Sequence, residues 1–387
     1  MSEKRRNILM VGMVDSVHLA RWISQFSDQD IDFTIFPSSP HRRIHPILRE
    51  LMSSTTNGMT VSLKPASMRW LALPLSALDI PFKNFFRSHL LRRLIESNSF
   101  DLIHILELQH AGYLLLDTQL DAILPKVLIT NWGSDIFWFE QFPKHRAKII
   151  RLLQIASFYS AECQRDIEIV RRLGYMGITM PVIPNSGGIN LDKIQKNTLP
   201  PSQRKKIIIK GYTGFVGQAL VALKACEAAA IYLRGYEVVL YSASFKARLR
   251  ALVLRHIHKI KVTIVEKRTP HSKMLEHFSH SRIYIGISLS DGISTSLLEA
   301  MATGCYPIQT NTSCANEWIE DLAGSIVEPS AIHELCEVVK GALANDALVD
   351  NAAVINFAKI QKNADHRQIA TKASKFYNNL TNSPIVL

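Results

Sequence analysis

The chain alternates between short apolar runs and segments with the spacing of amphipathic helices. In the first half, apolar, β-branched-rich runs that predict buried strands lie at residues 8–14, 33–36, 102–106, 127–130 and 182–184. Helical spacing occurs there at residues 18–26, 87–96 and 146–154. The second half repeats the pattern, with strand-like runs at residues 206–209, 238–241, 262–265, 283–287 and 307–309 and a long apolar helix predicted at 218–233. Two such series predict an α/β protein with two doubly wound, Rossmann-like domains that face a central cleft.

A turn-rich break, Asn-Ser-Gly-Gly at residues 185–188, separates the two series. We therefore expect a first domain at residues 1–187 and a second at 188–365. Residues 366–387 form a terminal segment with a helical pattern, which we expect to pack back on the first domain. Since the chain has 387 residues, two hydrophobic cores are also the expectation from length alone.

Composition narrows the class of protein. With 47% hydrophobic and 20% charged residues, the chain is ordinary and globular. Its five cysteines are widely spaced and form no Cys-x-x-Cys pair, which favours a reducing, cytoplasmic compartment over a disulfide framework or a structural zinc site. The apolar run after the basic N-terminus is too short for a signal peptide and is followed by Asp15, so we interpret it as the first strand.

Positive charge is concentrated in the middle of the chain. The formal net charge is +12, and residues 193–282 hold 18 Lys and Arg residues against four acidic residues. Such a block predicts an anionic partner, either phosphate groups or an acidic membrane surface; nucleic acid is not expected, because no recognition motif is present. A solvated basic face without a ligand remains an equal alternative for residues 246–268.

The segment SDGISTSLLEAMATG at residues 290–304 follows a predicted strand and enters a predicted helix. Asp291 then lies at a strand end and Glu299 about one turn inside the helix, while the amides of Ser294, Thr295 and Ser296 form a helix N-terminus suited to an anion. Carboxylates suit sugar hydroxyls, and amides suit phosphates. The structural alternative is a capping box between Ser296 and Glu299, with Asp291 as a turn residue.

A glycine-rich element, KGYTGFVGQ, opens the second half after another predicted strand. Lys210 places a cation beside a helix start, as a diphosphate leaving group requires, and Gly211 and Gly214 follow it. The alternative is a packing turn with a surface lysine.

Strand ends in the first half supply a second set of candidates. Gly12 and Met13 end the first strand, and His18 begins the next helix. The loop TNWGSDIF places Trp132 and Asp135 after a later strand, where Asp135 is expected to face the cleft. A solvated histidine is the alternative for His18.

Two further segments of the sequence give weaker indications of function. The acidic triplet at residues 28–32 resembles that of metal-dependent sugar transferases, but it falls at the amino edge of the sheet and is expected to be a turn, so we predict no required metal. Residues 68–93 mix aromatic and basic side chains as interfacial membrane segments do, with core packing as the alternative.

With these residues assembled, the chain resembles the GT-B glycosyltransferases of family 4, retaining enzymes that use nucleotide sugars in bacterial polysaccharide synthesis. The resemblance rests on SVHLARW, NWGSD, IPNSGGIN, KGYTGFVGQAL and, most specifically, the 290–319 segment with its two acidic residues separated by seven positions. It implies that residues 1–187 form the acceptor-side domain and residues 188–365 the domain that binds the nucleotide sugar.

The same resemblance implies a role for each candidate. Glu299 would hold the ribose hydroxyls, Asp291 would contact the transferred sugar and Lys210 would neutralise the diphosphate. The other donor-side residues would be Gly211, Gly214, Gly292, Ile293, Ser294, Thr295 and Ser296. Those on the acceptor side would be Gly12, Met13, His18, Trp132 and Asp135. No cofactor is implied, since the nucleotide sugar is a substrate.

Three positions depart from the family pattern. Asp291 stands where many members have Glu, Trp132 stands where many have His, and Gln218 stands where an arginine partner of the phosphate-binding lysine is expected.

The sequence thus predicts a hexosyltransferase that moves a sugar from a nucleotide diphosphate to a lipid-linked or polysaccharide acceptor. We expect it in the cytoplasm, in peripheral contact with the inner face of the membrane. The alternatives are a nucleotide-sugar epimerase or hydrolase on the same scaffold, or a catalytically silent protein that binds membranes or polyanions.

Overall fold

The structure is a computed structural model that describes residues 5–41, 43–54, 58–66, 79, 82, 84–120, 124–194 and 199–382. The chain divides into two compact units. Domain 1 comprises Met1–Gly188 together with Gln368–Leu387, and domain 2 comprises Ile189–Arg367.

Domain 1 is built on a parallel sheet with helices between successive strands. Its strands are β1 (Arg6–Gly12), β2 (Ile31–Pro37), β3 (Met59–Leu63), β4 (Leu102–Leu106), β5 (Val127–Thr130), β6 (Phe158–Ser160) and β7 (Ile178–Thr179). Its helices are α1 (Val17–Ser24), α2 (Pro46–Ser53), α3 (Phe85–Glu96), α4 (Tyr113–Asp117), α5 (Pro143–Ile155) and α6 (Gln164–Arg172), with a π-helical turn at Leu108–Gly112 before α4. The strand order is β3-β2-β1-β4-β5-β6-β7, so the direction of winding reverses between β1 and β4.

Domain 2 repeats this plan. Its strands are β8 (Lys206–Lys210), β9 (Glu237–Tyr241), β10 (Lys261–Ile264), β11 (Ile283–Gly286), β12 (Tyr306–Thr310) and β13 (Ser325–Val327), all in parallel pairs. Its helices are α7 (Ala219–Ala228), α8 (Phe245–His256), α9 (His271–Ser279), α10 (Thr295–Ala302), α11 (Ile332–Ala344) and α12 (Asp346–Asn363). The order β10-β9-β8-β11-β12-β13 puts the reversal between β8 and β11. Ligands of doubly wound sheets bind beyond the carboxyl ends of the strands at such a reversal.

The prediction of two Rossmann-like parallel sheets is confirmed, and single elements differ. No strand forms at residues 182–184, because Pro181 and Pro184 remove backbone donors that a sheet would use. The predicted helix at 218–233 ends at Ala228, ahead of turns that lead to Gly235 with a φ of +83°. Asp28 and Asp30 lie in the turn before β2, at the amino edge of the sheet.

The last helix, α13 (His366–Asn382), contributes aromatic side chains to the core of domain 1. Tyr377 is fully buried there, and its hydroxyl accepts a hydrogen bond from Trp22 Nε1 (2.8 Å). The same hydroxyl lies 2.6 Å from Nδ1 of the buried His104, whose Nε2 is 2.8 Å from Thr130 Oγ1. Burial lowers the pKa of His104 to about 3, so the ring is neutral in this cluster.

No helix among the described residues is long and apolar enough to cross a membrane. Most of the aromatic and basic segment at 68–93 lies outside the described residues. Within the described part, Arg87 is not a surface cation, since its buried Nε pairs with Asp79 at 2.6 Å.

Candidate functional site

Lys210 and Asp291 meet at the winding reversal of domain 2. Lys210 is the last residue of β8, and Asp291 lies in the loop that follows β11, the neighbouring strand. Lys210 Nζ donates a hydrogen bond to Asp291 Oδ2 at 2.7 Å, and Asp291 Oδ1 accepts one from the Gly292 N–H at 3.0 Å. Asp291 is therefore a turn residue and an ion-pair partner at once, with a side chain that remains partly exposed.

The Lys210 ammonium is held in a largely buried position, 7% exposed, with its Nζ 5.6 Å from the centre of the Tyr212 ring. Burial by itself lowers the pKa of this lysine, but the attraction of Asp291 outweighs burial and leaves the pKa raised. The side chain is thus a fixed cation at neutral pH. A fixed cation at this edge can meet an anionic group without first being organised.

Glu299 is the fifth residue of α10 and is 6% exposed. Its Oε1 accepts a hydrogen bond from Nε2 of His271, the first residue of α9, at 2.6 Å. The capping box is not formed, because the residue that precedes the helix is Ser294, not Ser296, and its side chain makes no capping hydrogen bond. The Glu299 carboxylate is therefore directed toward His271, whose side chain is 46% exposed.

The N-terminus of α10 lies in the same loop as Asp291. Ile293 and Ser294 are buried, and Thr295 and Ser296 are partly exposed. The first hydrogen bond of this helix runs from the Leu297 N–H to the Ser294 carbonyl at 2.9 Å. The N–H groups of Thr295 and Ser296 precede that bond, as expected of a helix N-terminus that can accept an anion.

The glycine-rich turn supports this loop. Gly211 is required by packing, since a Cβ there would lie 2.6 Å from the Ala243 Cα, whereas Gly214 has a φ of +104° and open space around it. Gln218 Nε2 donates to the Gly214 carbonyl at 2.7 Å, so the residue that replaces an expected arginine closes the turn. The Phe215 carbonyl accepts from the Leu289 N–H (2.8 Å) and joins the turn to the Asp291 loop.

The domain 1 candidates lie at the carboxyl edge of their own sheet. Gly12 is the last residue of β1, and Met13 follows it. Ser16 caps α1 by accepting from the His18 N–H at 3.1 Å. The rings of His18 and Trp132 are in contact, with centroids 5.2 Å apart, so His18 packs on the loop after β5.

Asp135 is buried, and its Oδ2 accepts hydrogen bonds from the backbone N–H groups of Leu108 (3.0 Å) and Trp132 (2.8 Å). Burial raises its pKa, and the nearby Glu107 raises it further. These are the contacts of a side chain that holds two loops of domain 1 together.

Three residues were not predicted from the sequence: Glu107 and His110 in domain 1, and His271 in domain 2. Glu107 follows β4 with a φ of +76°, and its Oε1 accepts from the N–H groups of His110 and Ala111, both at 2.6 Å. His110 Nδ1 lies 3.2 Å from Glu107 Oε2, and the hydrogen bond that the ring donates to this carboxylate raises the pKa of His110. His271 is 28 positions away from Glu299, so no local motif links the two.

Two family models match the chain. The model described as glycosyl transferase 4-like matches residues 7–161, and the one described as glycosyl transferases group 1 matches residues 195–361. Together they cover most of the chain, which therefore belongs to the GT-B glycosyltransferases of the family 4 type. In this class the nucleotide sugar is a substrate and not a cofactor. Among curated protein sequences, none matches this chain.

Solved structures share the fold at low sequence identity. Sucrose-phosphate synthase from Thermosynechococcus elongatus is 14% identical and superposes with a TM-score of 0.71 over 97% of this chain and 99% of its own. HepE from Anabaena, in complex with UDP and glucose, is 13% identical, with a TM-score of 0.71 over 97% and 100%. The trehalose-6-phosphate synthase OtsA is 11% identical, with a TM-score of 0.71 over 98% and 99%.

Proposed function

We propose that this glycosyltransferase moves a hexose from a UDP-sugar to a lipid-linked or polysaccharide acceptor with retention of anomeric configuration. The observation that carries the proposal is the Lys210–Asp291 pair, beside the α10 N-terminus and at the winding reversal of domain 2. The complex of HepE with UDP and glucose favours UDP as the nucleotide. The block of positive charge at residues 193–282 supports an acceptor at an anionic membrane surface.

Each side chain has a role that its contacts allow. Lys210 and the Thr295 and Ser296 amides would hold the diphosphate and stabilise the charge that develops on it. Asp291 would accept hydrogen bonds from the sugar hydroxyls after exchanging part of its contact with Lys210. Glu299 would accept from the ribose hydroxyls, a position now occupied by the His271 ring. Gly211 and Gly214 would shape the turn around the donor, and Gly292 and Ile293 the loop.

In the proposed reaction, the bond from the sugar C1 to the diphosphate oxygen breaks and a bond from C1 to the acceptor oxygen forms. The proton of the acceptor hydroxyl passes to the departing diphosphate, so no side-chain nucleophile is required. The contribution of the protein is then electrostatic stabilisation of the leaving group. Gly12, Met13, His18 and Trp132 would line the acceptor side, and Asp135 would support them from within domain 1.

The test is a thermal unfolding screen with UDP-, GDP- and ADP-sugars, followed by a transfer assay. A ligand that binds the native state must raise the apparent stability, so UDP-sugars should raise the midpoint more than the other two. Asp291→Asn and Glu299→Gln should each lower the transfer rate at least tenfold and reduce the rise in the unfolding midpoint that the UDP-sugar causes. Glu337→Gln, which alters a surface carboxylate on α11, should change neither quantity.

Unchanged donor binding and transfer in both site variants would refute the site assignment. Turnover of the nucleotide sugar at the same rate without any acceptor would indicate a hydrolase or an epimerase. No binding of any nucleotide sugar would favour the catalytically silent alternative.

A further inference from the structure

Helix α8 exposes three large apolar side chains. Ala247, Ala251 and Leu254 are buried against the domain 2 core, while Phe245, Leu249 and Leu252 are 74%, 50% and 40% exposed. Large apolar side chains usually face the core of a surface helix, so packing within domain 2 does not account for these three.

The three exposed side chains form one stripe. They stand at positions i, i+4 and i+7, which lie within about 60° of one another on a helix with 3.6 residues per turn. Ile257, directly after the helix, is also exposed. A contiguous apolar stripe on a surface helix, unlike a single exposed residue, indicates a binding surface.

Cations flank the stripe on both sides. Lys246 and Arg250 lie on one side, and Arg248 and Arg255 lie on the other, at about 100° per residue. Arg250 is paired with Glu227 of α7. Residues 238–265 contain six Lys and Arg residues and no acidic residue, so this segment carries a net positive charge.

The chain continues from α8 into a basic pocket at the amino edge of the domain 2 sheet. Its lining includes Lys205, Arg234, Lys259 and Lys261. Glu237 is the acidic residue of this lining, and it is shared by Lys206 and Lys261 at 3.9 and 3.1 Å. The pocket adds positive charge near the C-terminal end of α8, at the opposite end of the sheet from Lys210 and Asp291.

We propose that the outer face of α8 is a docking surface for an anionic lipid bilayer. Phe245, Leu249 and Leu252 insert at the level of the lipid headgroups, and the flanking cations contact lipid phosphates. An apolar face flanked by Lys and Arg is the signature of a helix that lies in the plane of a membrane interface. The charge selects this occupant over a neutral apolar partner, because anionic lipids attract basic segments near the surface.

This inference names the partner surface for the lipid-linked acceptor and to that extent rests on the proposed function. Its test measures membrane binding and not transfer, so the two can fail separately. The purified full-length protein is floated with vesicles of phosphatidylcholine alone and with vesicles that contain 30% phosphatidylglycerol. We expect binding to the second vesicles to be at least tenfold stronger and to weaken in 0.5 M NaCl, which shortens the screening length.

Leu249→Ser with Leu252→Ser should weaken binding to the anionic vesicles at least tenfold. The matched control is Val354→Ser with Phe357→Ser, an exposed apolar pair at the same i, i+3 spacing on α12, and it should bind as the unaltered protein does. Both pairs are at exposed positions, so thermal unfolding should be unchanged in each.

A second pair separates charge from apolar contact. Lys246→Gln with Arg255→Gln should weaken binding to anionic vesicles severalfold, whereas Lys340→Gln with Lys359→Gln, which removes the same charge elsewhere in domain 2, should not.

Equal binding to neutral and anionic vesicles, or none to either, would overturn the proposal. Equal losses in the α8 pair and the α12 pair would do the same. If the protein is a dimer in solution and the α8 pair makes it a monomer, the stripe is a subunit interface and the proposal is wrong.

Discussion

The carboxyl edges of the two parallel sheets both carry polar side chains, and the two domains use these side chains differently. In domain 1, the Glu107 and Asp135 carboxylates accept hydrogen bonds from backbone N–H groups of adjoining loops. In domain 2, Asp291 and Glu299 are paired with the side chains of Lys210 and His271. Both sets lie beside a winding reversal, and each domain 2 carboxylate has a basic side chain as a partner.

The two edges differ in how easily each carboxylate can exchange its hydrogen-bond partners for a ligand. A carboxylate bound to backbone N–H groups cannot exchange its partners without leaving those groups unsatisfied, which costs stability. A carboxylate bound to a lysine or histidine side chain can exchange it for a ligand hydroxyl while the backbone stays in place. We therefore expect substitutions at the domain 2 edge to change transfer, and substitutions at the domain 1 edge to change stability first.

The largest expected effect is on transfer, from Lys210→Met. This variant removes the fixed cation and keeps a side chain of similar length, so the charged contact proposed for the diphosphate is lost. Loss of one such stabilising group typically costs about 100- to 1,000-fold in rate. The transfer rate at saturating donor is the measurement.

Circular dichroism should show that the Lys210→Met variant is folded, because Asp291 retains its contact with the Gly292 N–H and with solvent. A transfer rate within threefold of the original would remove Lys210 from the site and weaken the contrast between the two edges.

The next effect is on stability, from Asp135→Ala in domain 1. The N–H groups of Leu108, which is buried, and of Trp132, which is partly buried, would lose their acceptor, at a cost of about 2–4 kcal/mol in the free energy of unfolding. Tryptophan fluorescence in urea is a suitable measurement, because four of the five tryptophans lie in residues 1–188.

Asp291→Asn is the matched variant at the other edge, and it should cost less than Asp135→Ala, because the amide oxygen can still accept from Lys210 and the side chain is partly exposed. If Asp135→Ala were as stable as Asp291→Asn, the buried carboxylate would not be the support that its contacts indicate.

Sequence patterns predicted the domain 2 edge better than the domain 1 edge. Lys210, Asp291 and the start of α10 follow strand ends directly, so a strand–loop–helix pattern suffices to bring them together. His271 reaches Glu299 only through the packing of α9 beside α10, and Glu107 depends on a positive φ that no periodicity encodes. The strands β6 and β7 have three and two residues, too few for an apolar period to be recognised.

The smallest expected effect is on the pH dependence of domain 1 stability, through His104. Burial lowers the pKa of His104 to about 3, whereas an exposed histidine has a pKa of 6.5. Between pH 6.5 and pH 3, the unfolded chain therefore binds a proton at His104 that the folded chain does not bind. The contribution of the neutral ring to stability is complete above pH 6.5 and falls by about 1.4 kcal/mol per pH unit as the pH decreases toward 3. Between pH 6.5 and 5 the loss is about 2 kcal/mol.

His104→Gln removes this titration and also the contacts of the ring with Tyr377 and Thr130. The variant should be less stable than the original at pH 7, and the gap should narrow as the pH falls to 5 and then 4. His333→Gln, at an exposed position on α11, is the control substitution and should leave the stability at pH 7 unchanged. Urea unfolding followed by tryptophan fluorescence at each pH measures both. If the difference in stability between the original and His104→Gln stays constant from pH 7 to 4, the folded chain accepts the proton at His104. The polar cluster under α13 could then change its hydrogen bonds, as proposed for the side-chain pairs of domain 2.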